Sequence, residues 1–138
     1  MYDKLKIGRM LSDIEKEFSN LEKFNLNDKN ISDTETLYAT SMSMLSIITR
    51  MINIAEEIVV KNEWGMPSVY QELFSVLNKN GIIGKELADE LSYLVKQRNV
   101  MAHYYFDVKP KDILSLKKKI YSVRQFAENV KSSILKDR

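Results

Sequence analysis

The chain has no cysteine, one histidine, two prolines and four glycines in 138 residues. Without cysteine, neither a disulfide framework nor a thiolate zinc site can form. A single imidazole removes most other metal constellations and leaves only carboxylate-rich oxygen sites of the magnesium or calcium kind. Neither a metal nor a cofactor is expected. Scarce Gly and Pro argue against a sandwich or a barrel, both of which need frequent turn residues. No stretch reaches the roughly 18 to 20 uninterrupted apolar residues of a membrane span. The opening Met1-Tyr2-Asp3-Lys4-Leu5-Lys6 lacks an apolar core followed by small residues, so a signal peptide is not expected and the cytoplasm is the expected setting.

What is present describes one helical domain over residues 1–138, with 44% apolar residues. A chain of this size buries roughly two-thirds of the surface its unfolded form exposes and needs no staple to fold. The net charge of +2 hides an asymmetry: residues 1–108 carry 12 basic and 16 acidic side chains, whereas residues 109–138 carry 9 and 3. Apolar positions recur at helical spacing from about Tyr2 to Phe24, through Leu5, Met10, Leu11, Ile14, Phe18 and Leu21. The Asn-rich stretch from Asn25 to Asn30 breaks this helix, since Asn bonds its own backbone in turns. Ser32-Asp33-Thr34-Glu35 reads as a capping box with Ser32 as cap, opening a long helix from Thr34 to about Asn62. That helix is apolar almost all round, so it is either the centre of a bundle or buries a second face against a partner chain.

Gly65-Met66-Pro67 ends the pattern, Ser68 is placed to cap a short helix through Gln71 and on to about Leu77, and Asn78 to Gly81 stops it. A further helix spans about Lys85 to His103, with Leu87, Leu91, Leu94 and Val95 as its buried stripe. The last begins near Pro110, a residue suited to a first turn, and runs through Ile113, Ile120, Phe126 and Ile134. The expected fold class is all-α: an antiparallel four-helix bundle with one additional short helix.

The densest cluster of reactive residues is Arg98-Asn99-Val100-Met101-Ala102-His103-Tyr104-Tyr105. On a continuous helix Asn99 and His103 lie within about 40° of each other, and Arg98 and Tyr105 within about 20°. Arg98 and His103 are about 140° apart, so they serve one reaction only if Arg98 bends its side chain, the helix unwinds, or two chains pool residues. A guanidinium beside an imidazole suits phosphodiester chemistry: Arg stabilises the charged transition state and His moves a proton near neutral pH. RNA supplies its own nucleophile, the 2′-hydroxyl, so cleavage needs no metal. The same His103, near a helix C-terminus, also reads as a cap that complements the dipole; Arg98 is then a solvated charge. Lys117, Lys118 and Lys119 read either as RNA phosphate contacts or as a solvated face. The methionines Met42, Met44 and Met51 suggest core or dimer packing rather than a ligand pocket. Glu56 and Glu57 suit the surface or helix pairing.

The motif Arg98-x4-His103-x-Tyr105, with polar Asn99 after the Arg, resembles that of the HepT group of HEPN domains. These are small helical ribonuclease toxins paired with a minimal nucleotidyltransferase. Segments flanking the motif fall in family order: Ile52-Asn53-Ile54-Ala55-Glu56-Glu57-Ile58, Gly65 to Phe74, Leu77 to Ile83, and Leu87-Ala88. The likeness spans about residues 35–110, and the first 30 residues match only as a generic amphipathic helix. The resemblance implies a HEPN-like bundle and a metal-independent endoribonuclease toxin of a type VII-like toxin–antitoxin system. Arg98 would hold the scissile phosphate, His103 handle protons, and Asn99 orient substrate or the imidazole. A homodimer would bring two motifs together across a basic cleft. The partners implied are RNA and a cognate nucleotidyltransferase antitoxin, which would add AMP to Tyr105 and not to Tyr104, blocking the cleft with bulk and negative charge. The rival reading is a catalytically inactive HEPN-fold subunit that binds a nucleotide or the nucleotidyltransferase.

Overall fold

The computed structural model describes residues 3–27, 29–103 and 109–135, and leaves the side chains of Ala102, His103 and Leu135 undescribed. All regular structure among these residues is helical, as the composition implies: α1 (Lys4–Lys23), α2 (Thr34–Lys61), α3 (Leu73–Lys79), α4 (Lys85–His103), α5 (Pro110–Ile120) and α6 (Ser122–Val130). A 3-10 turn (Tyr70–Glu72) leads into α3, and a π turn (Lys131–Leu135) follows α6.

α1 is amphipathic and turns Ile7, Leu11, Ile14, Phe18 and Leu21 into the core. The apolar stripe is therefore set by Ile7 and not by Leu5, which is 67% exposed; the two lie 200° apart on a helical wheel, and only Ile7 shares the side of Leu11 and Ile14. Asp3 starts the helix by accepting from the Lys6 N–H at 3.0 Å. The Asn-rich connection is built as its composition predicts. Asn27 Oδ1 accepts from the N–H groups of Lys29 and Asn30, while the Asn30 amide donates to the Phe24 and Asn25 carbonyls. Leu26 and Ile31 are buried and pin the connection to the core.

The cap of α2 is Asp33 rather than Ser32. The Asp33 carboxylate accepts from both the N–H of Thr36, at 3.0 Å, and its hydroxyl, at 2.9 Å. Both bonds converge on Oδ2, and the carboxylate, unlike the Ser32 hydroxyl, carries a charge that complements the positive helix end. α2 ends in a paired-bond C-cap: Trp64 N–H reaches the Val59 carbonyl and Glu63 N–H the Val60 carbonyl, with Glu63 at φ 55°. That geometry closes the helix with a left-handed residue, here without glycine.

α2 contacts α1, α3, α4, α5 and α6, which is why its apolar residues occur almost all round. Of its methionines, Met44 and Met51 are fully buried, whereas Met42 is 65% exposed and lies on another face. Glu57 pairs with Lys6 of α1 at 3.0 Å. No side chain caps the turn at Tyr70, so Ser68 does not play the part its position suggested. Gly81, at φ 79°, ends α3 in a conformation that favours glycine. The final helix is not continuous. It breaks at Tyr121, where the Arg124 N–H bonds the Tyr121 carbonyl three residues back, at 3.0 Å. The Tyr121 ring stacks on Phe18 of α1, with centroids 5.2 Å apart. Phe74 and Phe126, both fully buried, meet edge to face at 5.8 Å and join α3 to α6.

Candidate functional site

α4 spans Lys85–His103 without a break, so the segment that carries Arg98, Asn99 and His103 is helical throughout. Unwinding therefore does not bring Arg98 and His103 together; on the backbone they keep their offset of about 140°. The Arg98 side chain instead crosses to α2, where its Nε donates to Thr49 Oγ1 at 3.1 Å. One Nη1 hydrogen goes to Asn99 Oδ1 at 3.3 Å. Asn99 thus engages the guanidinium. The side chain of His103 and the whole of Tyr104 and Tyr105 lie outside the described residues.

Arg98, Asn99 and Thr49 are all half-buried. A guanidinium has five N–H groups in a rigid fork. Two are taken by Thr49 and Asn99, and no other described residue engages the remaining three. Among the described residues Arg98 is thus a held cation with donors to spare, a group suited to a phosphate.

Thr49 also lines an open groove of about 420 Å³ with Met42, Leu45, Ser46, Arg50 and Asn53. Ser46, Thr49, Arg50 and Asn53 fall within about 100° of arc on α2, a polar stripe in a mostly apolar helix. Its members divide between two neighbours. Ser46 donates to Glu17 at 2.8 Å and Arg50 pairs with Asp13 at 3.1 Å, both on α1, while Thr49 serves α4. Thr49 was missed in the sequence, although the spacing of this stripe marks it.

The three lysines do not act as one patch. Lys117 is half-buried and donates to the Leu26 carbonyl at 2.6 Å, closing the connection between α1 and α2. Lys119 lies 4.1 Å from the ring centre of Tyr93 on α4. Lys118 and Lys119 are exposed and line a groove with Asp89, Glu90, Tyr93 and Ser122. Among the described residues, no three His, Asp or Glu side chains gather in a way that could hold a metal ion. Nor, among them, is any helix long and apolar enough to cross a membrane.

The described residues form a small helical domain in which a guanidinium is held where α2 meets α4, the helix that carries the only imidazole of the sequence. The particular family follows from the sequence: residues 9–130 match the HepT-like family, described as ribonuclease HepT-like. The chain belongs to that family. Its fold is shared by a tri-AMPylated HEPN toxin of Shewanella oneidensis solved in complex with its MNT antitoxin. The TM-score there is 0.86 at 19% identity, covering 96% of this chain and 100% of that one. A toxin–antitoxin crystal structure with AMP-PNP matches with a TM-score of 0.85 at 18% identity, over 92% and 98% of the two chains. YutE of Bacillus subtilis, a cytosolic protein of unknown function, matches at 0.81 and 15% identity, over 100% and 99%. No curated protein matches in sequence.

Proposed function

We propose that this protein is the toxin of a type VII-like toxin–antitoxin pair, a metal-independent endoribonuclease silenced by AMP addition to Tyr105. The observation that carries this reading is the held guanidinium of Arg98, with donors to spare, on the helix of the only imidazole. Membership of a ribonuclease HepT-like family and the toxin complexes that share the fold support it.

In the proposed reaction Arg98 binds the non-bridging oxygens of the scissile phosphate. The 2′-hydroxyl oxygen attacks phosphorus, its proton passes to a base, and the 5′-oxygen leaves with a proton supplied in its place. The products are a 2′,3′-cyclic phosphate and a free 5′-hydroxyl. His103 is the one imidazole available to carry a proton near neutral pH. Arg98 gathers the charge that develops on the phosphorus oxygens. Two copies facing each other across a basic cleft satisfy the angular offset of Arg98 and His103, with one chain's Arg98 beside the other's His103. Lys118 and Lys119, exposed beside Tyr93, are the lysines of their run best placed to meet RNA phosphates; Lys117 contributes mainly through its bond to Leu26.

Purified protein, unmodified at Tyr105 and with chelator present, is expected to cleave total RNA, and His103→Ala to lose about 100-fold or more of that rate. Equal inertness of the two proteins would defeat the nuclease reading and favour a silent binding subunit. Incubation with the cognate nucleotidyltransferase and ATP should transfer AMP to the Tyr105 oxygen with release of pyrophosphate. Mass spectrometry that finds the adduct on Tyr104, or finds none, removes that mode of control.

A further inference from the structure

Thr49 lies outside the Arg-x4-His motif, 49 positions before Arg98, yet its hydroxyl is the acceptor that fixes Arg98. We propose that Thr49 is a positioning residue: it presets the Arg98 guanidinium so that only its end-on edge is offered to the scissile phosphate. The inference rests on the nuclease reading above and deepens it.

Three observations carry it. Arg98 Nε donates to Thr49 Oγ1 at 3.1 Å, which occupies the side edge of the fork, the one formed by Nε and Nη2. Asn99 Oδ1 takes a hydrogen of Nη1, at 3.3 Å, and steadies the same plane from α4 itself. With Nε taken, a phosphate is met through the remaining hydrogens of Nη1 and Nη2 and not across the side edge, so the direction of approach is set before substrate arrives.

The second observation is the firmness of the platform. Thr49 sits mid-way along α2 between Ile47, Ile48, Met51 and Ile52, all buried in the core. A β-branched side chain in a helix has few rotamers, so its hydroxyl is a more rigid anchor than the long arginine it holds. The third is selectivity of contact. The neighbouring polar residues Ser46 and Arg50 are committed to Glu17 and Asp13 of α1, so Thr49 is the member of the stripe that faces the reactive helix. Thr49 also lines the open groove on α2, so the contact it makes with Arg98 starts from a concave surface.

The test uses the full chain, unmodified at Tyr105, with a short RNA containing one scissile bond and chelator present. Thr49→Val keeps shape and β-branching but loses the acceptor; Thr49→Ser keeps the hydroxyl. The expected result for Thr49→Val is a kcat about 10- to 100-fold lower with KM within about twofold and no change in Tm, because a misaligned group costs rate more than binding. Thr49→Ser should restore most of the rate. In an Arg98→Ala background Thr49→Val should cost nothing further, since its effect passes through Arg98. Wild-type kcat in Thr49→Val, or losses that multiply in the double variant, overturns the proposal while leaving the nuclease intact. Wild-type protein as inert as His103→Ala overturns the nuclease reading and any role of Thr49 in cleavage. Hydrogen exchange of the Arg98 Nε–H, followed by NMR, reads the contact without activity. Thr49→Val should speed that exchange and Thr49→Ser should not, and an unchanged rate in Thr49→Val overturns the proposal by itself. Should the Val variant melt early, Thr49→Ala takes its place in each arm.

Discussion

Individual side chains in this protein are defined by what holds them. Arg98 and Arg124 are both guanidiniums bridging helices, yet Arg98 meets neutral oxygens and Arg124 meets Glu15 and Glu22. Among the described residues the first pairs with no carboxylate and the second with two. Glu22 shows the consequence. The Arg124 hydrogen bond holds its carboxyl below the usual range, against slight desolvation and with help from the Arg124 charge and the Tyr121 hydroxyl. A carboxyl depressed in the folded state adds stability above its unfolded value, near pH 4.5, and loses it as pH falls through the lower folded value. Glu22→Gln should therefore melt slightly below wild type at neutral pH, with the gap closing below about pH 4. The pair is nearly half exposed, 46% at Glu22, so the neutral-pH difference is expected to be about 0.5 kcal/mol and to shrink in salt. Melting curves of both proteins from pH 7 down to pH 3 check it; a constant gap contradicts it. Tyr121 works in the opposite direction. Burial, and then the Glu22 charge, push its phenol up, so its contribution is lost only as pH rises through that raised value.

The helices repeat the lesson at larger size: each boundary is decided by local chemistry, each face by its neighbours. Asp33→Ala removes the acceptor of both the Thr36 N–H and its hydroxyl and should cost about 1 kcal/mol by urea unfolding, with Ser32→Ala close to neutral. Equal costs for the two would return the cap to Ser32. Most of this level was legible in the sequence. The α4 bounds, Lys85 to His103, follow from its stripe of Leu87, Leu91, Leu94 and Val95, all buried. The Asn turn before α2 was equally readable, because its bonds are local. Two features were not. Ser32 and Asp33 are both good caps, and the choice depends on where the chain turns. Nothing in the apolar spacing from Ile113 to Ile134 announces the break at Tyr121, which accompanies a ring on another helix, Phe18.

Across the whole molecule, α2 is the hub, and its all-round apolar surface is accounted for by the number of helices around it. The motif of Arg98, Asn99 and His103 could be read directly because its members sit on one helix. Thr49 could not be joined to it, since a contact between α2 and α4 is fixed by packing and not by spacing along either. The charge asymmetry also gains meaning. Part of the surplus of positive residues after 109 is internal: Lys117 closes a connection and Arg124 ties α6 to α1. Less of that charge stands free at the surface than the residue count suggests.

The clamp on α1 bears on the order in which the chain becomes a protein. Glu15 and Arg124 are 109 positions apart, and Phe18 receives both the Tyr121 ring and the Arg124 guanidinium. Arg98 and Thr49 are synthesised well before either. A chain still emerging from the ribosome thus carries Arg98 and Thr49 while α1 lacks its fastener and Phe74 lacks Phe126. Native contacts of such long separation form late and close the core together. A nascent chain built this way cannot close its core until its last helices are made, so the fold is completed after release of its C-terminal segment and not during synthesis of α2 or α4.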